Sequence, residues 1–501
     1  MEVASVTEFL RGKTILVTGA TGFLAKVFVE KLLRIQSDLK KLYLLLRASD
    51  SEAATQRMHD EIIRKELFRV LREKWGADFE SLMAEKVVAV AGDVSVANLG
   101  IKNANLEKMW EEIDVIANFA ANTNFDERYD IAMEINTMGA LHVLNFAKSC
   151  RRIQVFLHLS TAYICGEPRE GELIKEEPLR MGQTLNDASK VLDIYAEKTL
   201  IQKTIEQLRS QYTDNDMAIT SAMKDFGIKR ANLYGWPNTY VFTKAMGEML
   251  VSNFKNEIPL VIIRPTMVTS TYKEPFPGWV EGVRTLDAVI GGYGKGKVEC
   301  FLGDPQTILD VIPADMVINC MLSAMAIQSS HKYIYHVSSS LRNSLTISCV
   351  RHLSYLYFKN KPLTDYKSGK PIIISKALFL STMAGFHAHM TTRYVLPLKV
   401  LYAVNQVFCQ IFRDVYNRND RKVKTVIRMA QLYKPYVFFK ALFDDRHTEE
   451  LRERSSKILK DVGFDLGFDP NSIDWRDYLL NVHFPGLVNY AINSSPRLPK
   501  Y

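Results

Sequence analysis

Short runs rich in Val, Ile and Leu recur from residue 14 to about 340, and the stretches between them carry apolar residues at helical spacing. The runs at 14–18, 42–47, 87–91, 115–119, 155–160, 260–264 and 333–337 read as strands. Their alternation with helices predicts an α/β fold, a doubly wound parallel sheet of Rossmann type covered on both faces. The regular spacing breaks once, at 167–234. That insert is charged and favours helix, with apolar residues at helical spacing over 191–208 and no obvious strand.

Beyond about residue 350 the alternation ceases. Lys/Pro/Gly-containing stretches place a boundary between 345 and 370. This divides the chain into a reductase-like unit over 1–350 and a mainly helical domain over 370–501, with an aromatic cluster at 433–439. No internal repeat or low-complexity tract is evident.

The longest uncharged stretch in the second part is 377–392, sixteen residues that include two His and several hydroxyls. A second apolar run covers 400–412 and ends at Arg413. Both fall short of the roughly 20 apolar residues a spanning helix needs, and they suit a segment that lies on a membrane or packs in a core.

Composition changes this picture in two places. The 501 residues include 47% hydrophobic and 10% aromatic side chains, which describes a chain with a large core and excludes disorder, collagen and a disulfide-stapled miniprotein. The net charge of +8 is concentrated: residues 381–460 hold fifteen Lys/Arg against seven Asp/Glu, so the remainder is neutral. A basic block beside a neutral body argues against nucleic acid as partner and fits an anionic membrane surface or a phosphorylated substrate. Cys150, Cys165, Cys300, Cys320, Cys349 and Cys409 show no CxxC or metal-ligand spacing and read as free thiols in a reducing compartment. His387 and His389 lack an apparent third ligand, so no metal is expected. The first thirteen residues have neither a signal-peptide core nor a transit-peptide composition, so a cleaved leader is not expected.

The chemistry begins at Thr18-Gly19-Ala20-Thr21-Gly22-Phe23-Leu24-Ala25, a strand end, a glycine turn and a helix start. Gly19 allows the tight turn, Gly22 lets backbone N–H groups approach a pyrophosphate, and Ala25 is small enough for close helix–strand packing. Arg47 ends the second strand where an NAD-preferring protein would be expected to place an acid for the ribose hydroxyl. It points to a 2′-phosphate and hence NADPH, unless it is simply a solvated strand end. Asp93, after the third strand, suits either the adenine amine or a turn cap.

Tyr240 and Lys244 fall one helical turn apart, with Thr161 at the end of the fifth strand and Pro265-Thr266 in the turn after the sixth. A lysine cation there can lower the phenol's pKa and hold a nicotinamide ribose, leaving Tyr240 to give a proton to an oxygen that receives hydride. Cys165, four residues after Thr161, offers a conceivable covalent route, although nothing near it in sequence would form the thiolate.

These segments, together with Phe125-Asp126-Glu127-Arg128-Tyr129-Asp130, Gly235-Trp236-Pro237-Asn238 and Glu274-Pro275-Phe276-Pro277-Gly278-Trp279, resemble the extended short-chain dehydrogenase/reductase superfamily. Within it they resemble the alcohol-forming fatty acyl-CoA reductases of plants. The resemblance runs nearly end to end, through Phe443-Asp444-Asp445 and Ile473-Asp474-Trp475 of a male-sterility-type C-terminal domain. It implies Thr161, Tyr240 and Lys244 as catalytic residues. Cofactor contacts would come from Thr18, Gly19, Thr21, Gly22, Phe23, Leu24, Arg47, Asp93, Lys244, Pro265 and Thr266, with NADPH as cofactor. It departs at Asn122-Thr123-Asn124, where a different loop sequence would be expected.

The implied reaction is reduction of a long-chain acyl-CoA through an aldehyde to a primary alcohol, for wax or another lipid barrier. Alternatives are a reductase that stops at the aldehyde, another extended short-chain dehydrogenase, and a non-catalytic NADPH-sensing scaffold. The resemblance and the basic C-terminal block together imply peripheral association with the cytosolic face of the endoplasmic reticulum, with a cytoplasmic location as the alternative. Oligomeric state and chain-length preference are not legible.

Overall fold

The computed structural model describes residues 5–187, 189–213, 215–329, 331–407, 410–459 and 466–493; Cys409 lies outside them. Seven strands form the central sheet: β1 (Thr14–Thr18), β2 (Lys41–Leu46), β3 (Val87–Ala91), β4 (Val115–Asn118), β5 (Val155–Leu159), β6 (Leu260–Pro265) and β7 (Ile334–Val337). Their order is β7-β6-β5-β4-β1-β2-β3, and every pairing is parallel. The chain winds outward from β1 to β3, returns, and winds the other way from β4 to β7. The switch point therefore lies between β1 and β4, and a crevice opens there at the carboxyl ends of the strands.

Successive strand residues point to opposite faces, and both faces are buried. Ile15, Val17 and Ile263 join one core with Phe28, Val317 and Met321. Leu16, Ile116 and Ile262 join the other with Phe146, Phe242 and Met246. Two buried faces explain why the strands read as continuous apolar runs.

The helices that matter below are α1 (Phe23–Ile35), α2 (Gly139–Ser149), α3 (Ile194–Gln211), α4 (Asp216–Leu233), α5 (Thr239–Ser252), α6 (Ala314–Ala326), α7 (Leu396–Val407), α8 (Arg413–Val437) and α9 (Arg446–Leu459). The insert folds as α3 and α4, but it also contains a strand, Leu173–Ile174, paired in parallel with Leu442–Phe443. Two residues carry no periodicity to read, so the sequence could not announce it. Beside it, Glu176 accepts hydrogen bonds from the His336 N–H at 2.8 Å, the His447 N–H at 2.5 Å and the Thr448 hydroxyl at 3.0 Å, tying the insert to β7 and to the start of α9.

Residues beyond 370 complete both cores. Tyr436, Phe439 and Phe443 join the face that carries α5, and Tyr478, Phe484 and Leu487 join the other. The uncharged stretch at 377–392 becomes the short strand Leu378–Leu380, paired with Cys300–Leu302, followed by the helix Met383–Met390. Among the described residues, no helix is long and apolar enough to cross a membrane.

Candidate active site

β1 ends at Thr18, and Gly19 follows with φ +64°, where a Cβ would stand 2.7 Å from the Ala120 nitrogen. Gly22 is the N-cap of α1 and supplies no side-chain cap, so the N–H groups of the first turn face outward without an internal partner. A Cβ on Gly22 would sit 3.0 Å from the Gly19 carbonyl oxygen. Thr21 is half-buried, while Phe23 and Leu24 pack on the core beneath and Ala25 is buried within it. Thr18 is spent inside the sheet: its hydroxyl donates to Asn118 Oδ1 at 2.6 Å and accepts the Ala120 N–H at 3.2 Å.

On the other side of the switch point, Asn238 caps α5 by accepting the Val241 N–H at 3.1 Å, and this sets the helix phase that turns Tyr240 and Lys244 to one face. Lys244 is buried, and its Nζ donates to the Leu159 carbonyl at 2.7 Å, two residues before Thr161. Burial pulls its pKa down to about 8, against the opposing field of Glu248 one turn further on. Tyr240 is hydrogen-bonded to the Thr161 side chain. The structure thus brings Thr161, Tyr240 and Lys244 together.

It corrects one electrostatic expectation. The phenol is not lowered by the lysine: burial pushes it up to about 12, opposed by Arg284 and by the Thr161 hydrogen bond. Lys244 is turned to a carbonyl, and the phenol keeps its proton at neutral pH, the state a proton donor requires. Burial likewise pushes the Cys165 thiol up to about 12, so it is not an activated nucleophile.

The remaining predicted residues are placed unevenly. Pro265 ends β6, the strand paired with β5. The Thr266 hydroxyl donates to Asp310 Oδ1 at 2.8 Å, and the same buried carboxylate accepts the Ser339 and Ser340 N–H groups. Arg47 is exposed at the carboxyl end of β2, and its carbonyl accepts from Arg57 at 2.6 Å. Asp93, past β3, uses Oδ1 to cap a turn, accepting the Ser95 N–H at 2.9 Å and its hydroxyl at 2.8 Å. Both stand on the far side of β1 from β5, which carries Leu159.

A NAD-binding family profile described as male sterility protein matches residues 17–321, and a second profile, also described as male sterility protein, matches 393–494. The chain is 50% identical to fatty acyl-CoA reductase 1 of Arabidopsis thaliana over 98% of its length and 99% of that protein's. It is 48% identical to the alcohol-forming fatty acyl-CoA reductase of Simmondsia chinensis over 98% of its length and all of that enzyme's. The chain belongs to the fatty acyl-CoA reductase family. Among solved structures, the reductase domain of a nonribosomal peptide synthetase from Mycobacterium tuberculosis shares the fold, with a TM-score of 0.53 at 17% identity over 97% of this chain and 96% of that one.

As a member of this reductase family, the chain is an oxidoreductase that uses a nicotinamide dinucleotide. The residues present fit such a cofactor: the cradle at Gly19 and Gly22 would be filled by side chains, and the bare first turn of α1 supplies N–H donors for a pyrophosphate.

The fatty acyl-CoA reductase site also contains residues that the sequence reading passed over. Asn118 Nδ2 donates to His158 Nδ1 at 3.1 Å, so a hydrogen-bonded string runs from Thr18 through Asn118 to His158 across β1, β4 and β5. With Nδ1 accepting, the neutral ring carries its proton on Nε2. Burial and the nearby Lys244 hold the His158 pKa well below the usual range. Asn136 exchanges hydrogen bonds with the Asn122 backbone and donates to Thr243 Oγ1 at 3.0 Å, locking the loop after β4 onto α5.

The wall of the site is aromatic. Phe125 stacks on Tyr240 with centroids 5.5 Å apart and on Tyr436 at 5.1 Å, while Tyr433 tilts against it at 5.5 Å. Asn238 Nδ2 donates to the Tyr436 hydroxyl at 2.9 Å, so the cap of α5 is also the clasp that holds the end of α8. No local signal in the sequence joins Phe125 to Tyr436, because more than 300 residues separate them.

Proposed function

We propose that the chain reduces long-chain fatty acyl-CoA through the aldehyde to a primary alcohol, with NADPH as cofactor, for wax or another lipid barrier. The observation that carries this reading is the convergence, at the carboxyl end of β5, of Thr161, of Tyr240 stacked on Phe125, and of Lys244 anchored on the Leu159 carbonyl. When bound, the reduced nicotinamide would supply hydride twice: to the thioester carbonyl, after which the C–S bond breaks and CoA leaves as its thiol, and to the aldehyde so released. Thr161 and Tyr240 hold the carbonyl oxygen, and Tyr240 gives it a proton as negative charge develops. Lys244, anchored on the Leu159 carbonyl at the end of β5, would hold the ribose end of the cofactor and contribute positive charge to the site. The buried Asp310 holds Thr266, and with it the turn after β6 that would border the nicotinamide. Arg47, exposed beyond the glycine loop, takes the 2′-phosphate and favours NADPH over NADH.

Residues 1–350 carry the chemistry on this reading, with 370–501 serving the acyl chain and the membrane. The enzyme works peripherally on the cytosolic face of the endoplasmic reticulum. The test is to incubate stearoyl-CoA with NADPH or NADH and identify the product by chromatography. Octadecanol formed with NADPH is expected. Octadecanal as end product would mean that the reaction stops one step early, equal rates with NADH would remove the role of Arg47, and no turnover on acyl-CoA of any length would overturn the proposal.

The same geometry predicts a pH profile. A lysine whose pKa is lowered to about 8 is charged below that pH and neutral above it, while a phenol raised to about 12 stays protonated across the range. Turnover is therefore expected to fall along an alkaline limb centred near pH 8 in the steady-state rate. A flat profile through that region would show that the lysine charge is not used.

A further inference from the structure

The hairpin of α7 and α8 holds an aliphatic face in solvent. Leu396, Val400, Val404 and Val407 recur at intervals of four, four and three, so they share one side of α7, and they are 48%, 64%, 37% and 76% exposed. Ile411, 74% exposed, extends the face at the turn. The described residues on either side of 408–409 are tied together. Asn405 is buried, its Oδ1 accepts the Phe412 N–H at 2.8 Å, and its carbonyl accepts the Gln410 N–H at 2.8 Å. Tyr402 of α7 packs on Tyr416 of α8 with ring centroids 5.2 Å apart. The stripe faces outward because the hairpin's other contacts fix it there.

Immediately after the turn, α8 presents Arg413, Arg418, Arg421 and Lys422, all exposed and, among the described residues, without an ion pair. Two other cations of the basic block are already engaged: Lys424 pairs with Asp420, and Arg428 pairs with Asp126 and Asp225, fastening α8 to the rest of the fold. An exposed aliphatic stripe on α7, followed by unneutralised cations on α8, matches one surface in particular. In an anionic bilayer the aliphatic side chains enter the acyl boundary while the cations meet the headgroup phosphates. A second copy of the chain fits poorly, since a twofold contact through the same patch would bring like charges together.

The other end of α8 is the active site. From Arg413 the helix runs about 30 Å, at 1.5 Å per residue, to Tyr433, and Pro435 in its last turn leads on to Tyr436; both tyrosines wall the Tyr240 pocket. We propose that the α7–α8 hairpin docks on an anionic phospholipid surface and that α8, fastened to the rest of the fold through Arg428, holds the aromatic wall of the site over that surface, where hydrocarbon tails pass between bilayer and enzyme. This rests on the reading of the substrate as a long-chain acyl thioester.

The test uses the full chain with vesicles of phosphatidylcholine alone or mixed with phosphatidylglycerol, read by co-sedimentation. The wild type is expected to bind the mixed vesicles, more weakly as salt rises, and to bind pure phosphatidylcholine poorly. Removing one surface cation weakens such binding about fivefold, so Arg413→Gln/Arg418→Gln/Arg421→Gln should lose about 100-fold. Val400→Asp/Val407→Asp should lose vesicle binding as well. Both variants should keep wild-type turnover on a short-chain acyl-CoA that stays in solution, and lose rate on a long-chain acyl-CoA carried by vesicles. Equal vesicle binding by wild type and variants, or substitutions that only abolish dimer formation, would overturn the docking proposal. Docking without reduction of any acyl-CoA would leave the hairpin's role standing and remove the substrate reading instead.

Discussion

Tyr240→Phe is expected to lower fatty alcohol formation by about 10²–10⁴-fold, the usual contribution of a positioned proton donor, while NADPH still binds. The substitution isolates one atom. Phe keeps the ring that stacks on Phe125 at 5.5 Å, so the wall shared with Tyr433 and Tyr436 is retained, and the glycine loop lies on a different strand and helix. What disappears is the hydroxyl, with its hydrogen bond to Thr161. Burial holds that hydroxyl protonated, up to about 12, so it enters each cycle with a proton to give. Single-turnover product formation and cofactor titration, measured side by side, separate the two effects. A variant with wild-type turnover would place the proton source elsewhere, whereas loss of NADPH binding together with turnover would mean that Tyr240 acts through the cofactor pocket.

The parts of this site that could be read from the sequence are those whose chemistry is local. A turn with φ +64° at Gly19, a helix that starts at Phe23 without a side-chain cap, and a Tyr–Lys pair one turn apart each depend on a few adjacent residues, so their spacing survives in one dimension. The strands were legible for a related reason, since burial on both faces leaves continuous apolar runs. What escaped is set by pairings between distant segments. The two-residue strand Leu173–Ile174 exists only because Leu442–Phe443 lies beside it, and His158 reads as an ordinary strand residue until Asn118 is seen next to it. The phenol's pKa escaped for a subtler reason. Helical spacing put Lys244 on the same face as Tyr240, but the direction of its Nζ is fixed by the Leu159 carbonyl, which belongs to another element. Desolvation then raises the phenol's pKa, opposed by Arg284 and Thr161 and not by the lysine.

Glu248→Gln is expected to act on both stability and catalysis, and the two readouts test one piece of electrostatics. Glu248 is fully buried one turn beyond Lys244, and its carboxylate forks onto Arg264, accepting from Nε at 3.1 Å and from Nη2. Arg264 is 3% exposed in its side chain, and its other donors go to His336 Nε2 at 3.2 Å and to the Glu177 carbonyl at 2.8 Å. His336 cannot take over as counter-ion. Its Nδ1–H donates to the Asp444 carbonyl and its Nε2 accepts from Arg264, so the ring is neutral, and burial keeps its pKa well below the usual value. A neutral amide at 248 thus strands a buried guanidinium, at a cost of about 3–5 kcal/mol for breaking a buried pair. The thermal midpoint of the purified protein should fall sharply. Glu248→Gln combined with Arg264→Met should recover part of that loss, because the stranded charge is gone. The catalytic readout follows from sign: the Glu248 charge raises the Lys244 pKa, so removing it lowers that pKa further and shifts the alkaline limb of turnover to lower pH. A variant that is destabilised but keeps its limb near pH 8 would show that the limb belongs to another group, and an unshifted midpoint would show that water reaches Arg264.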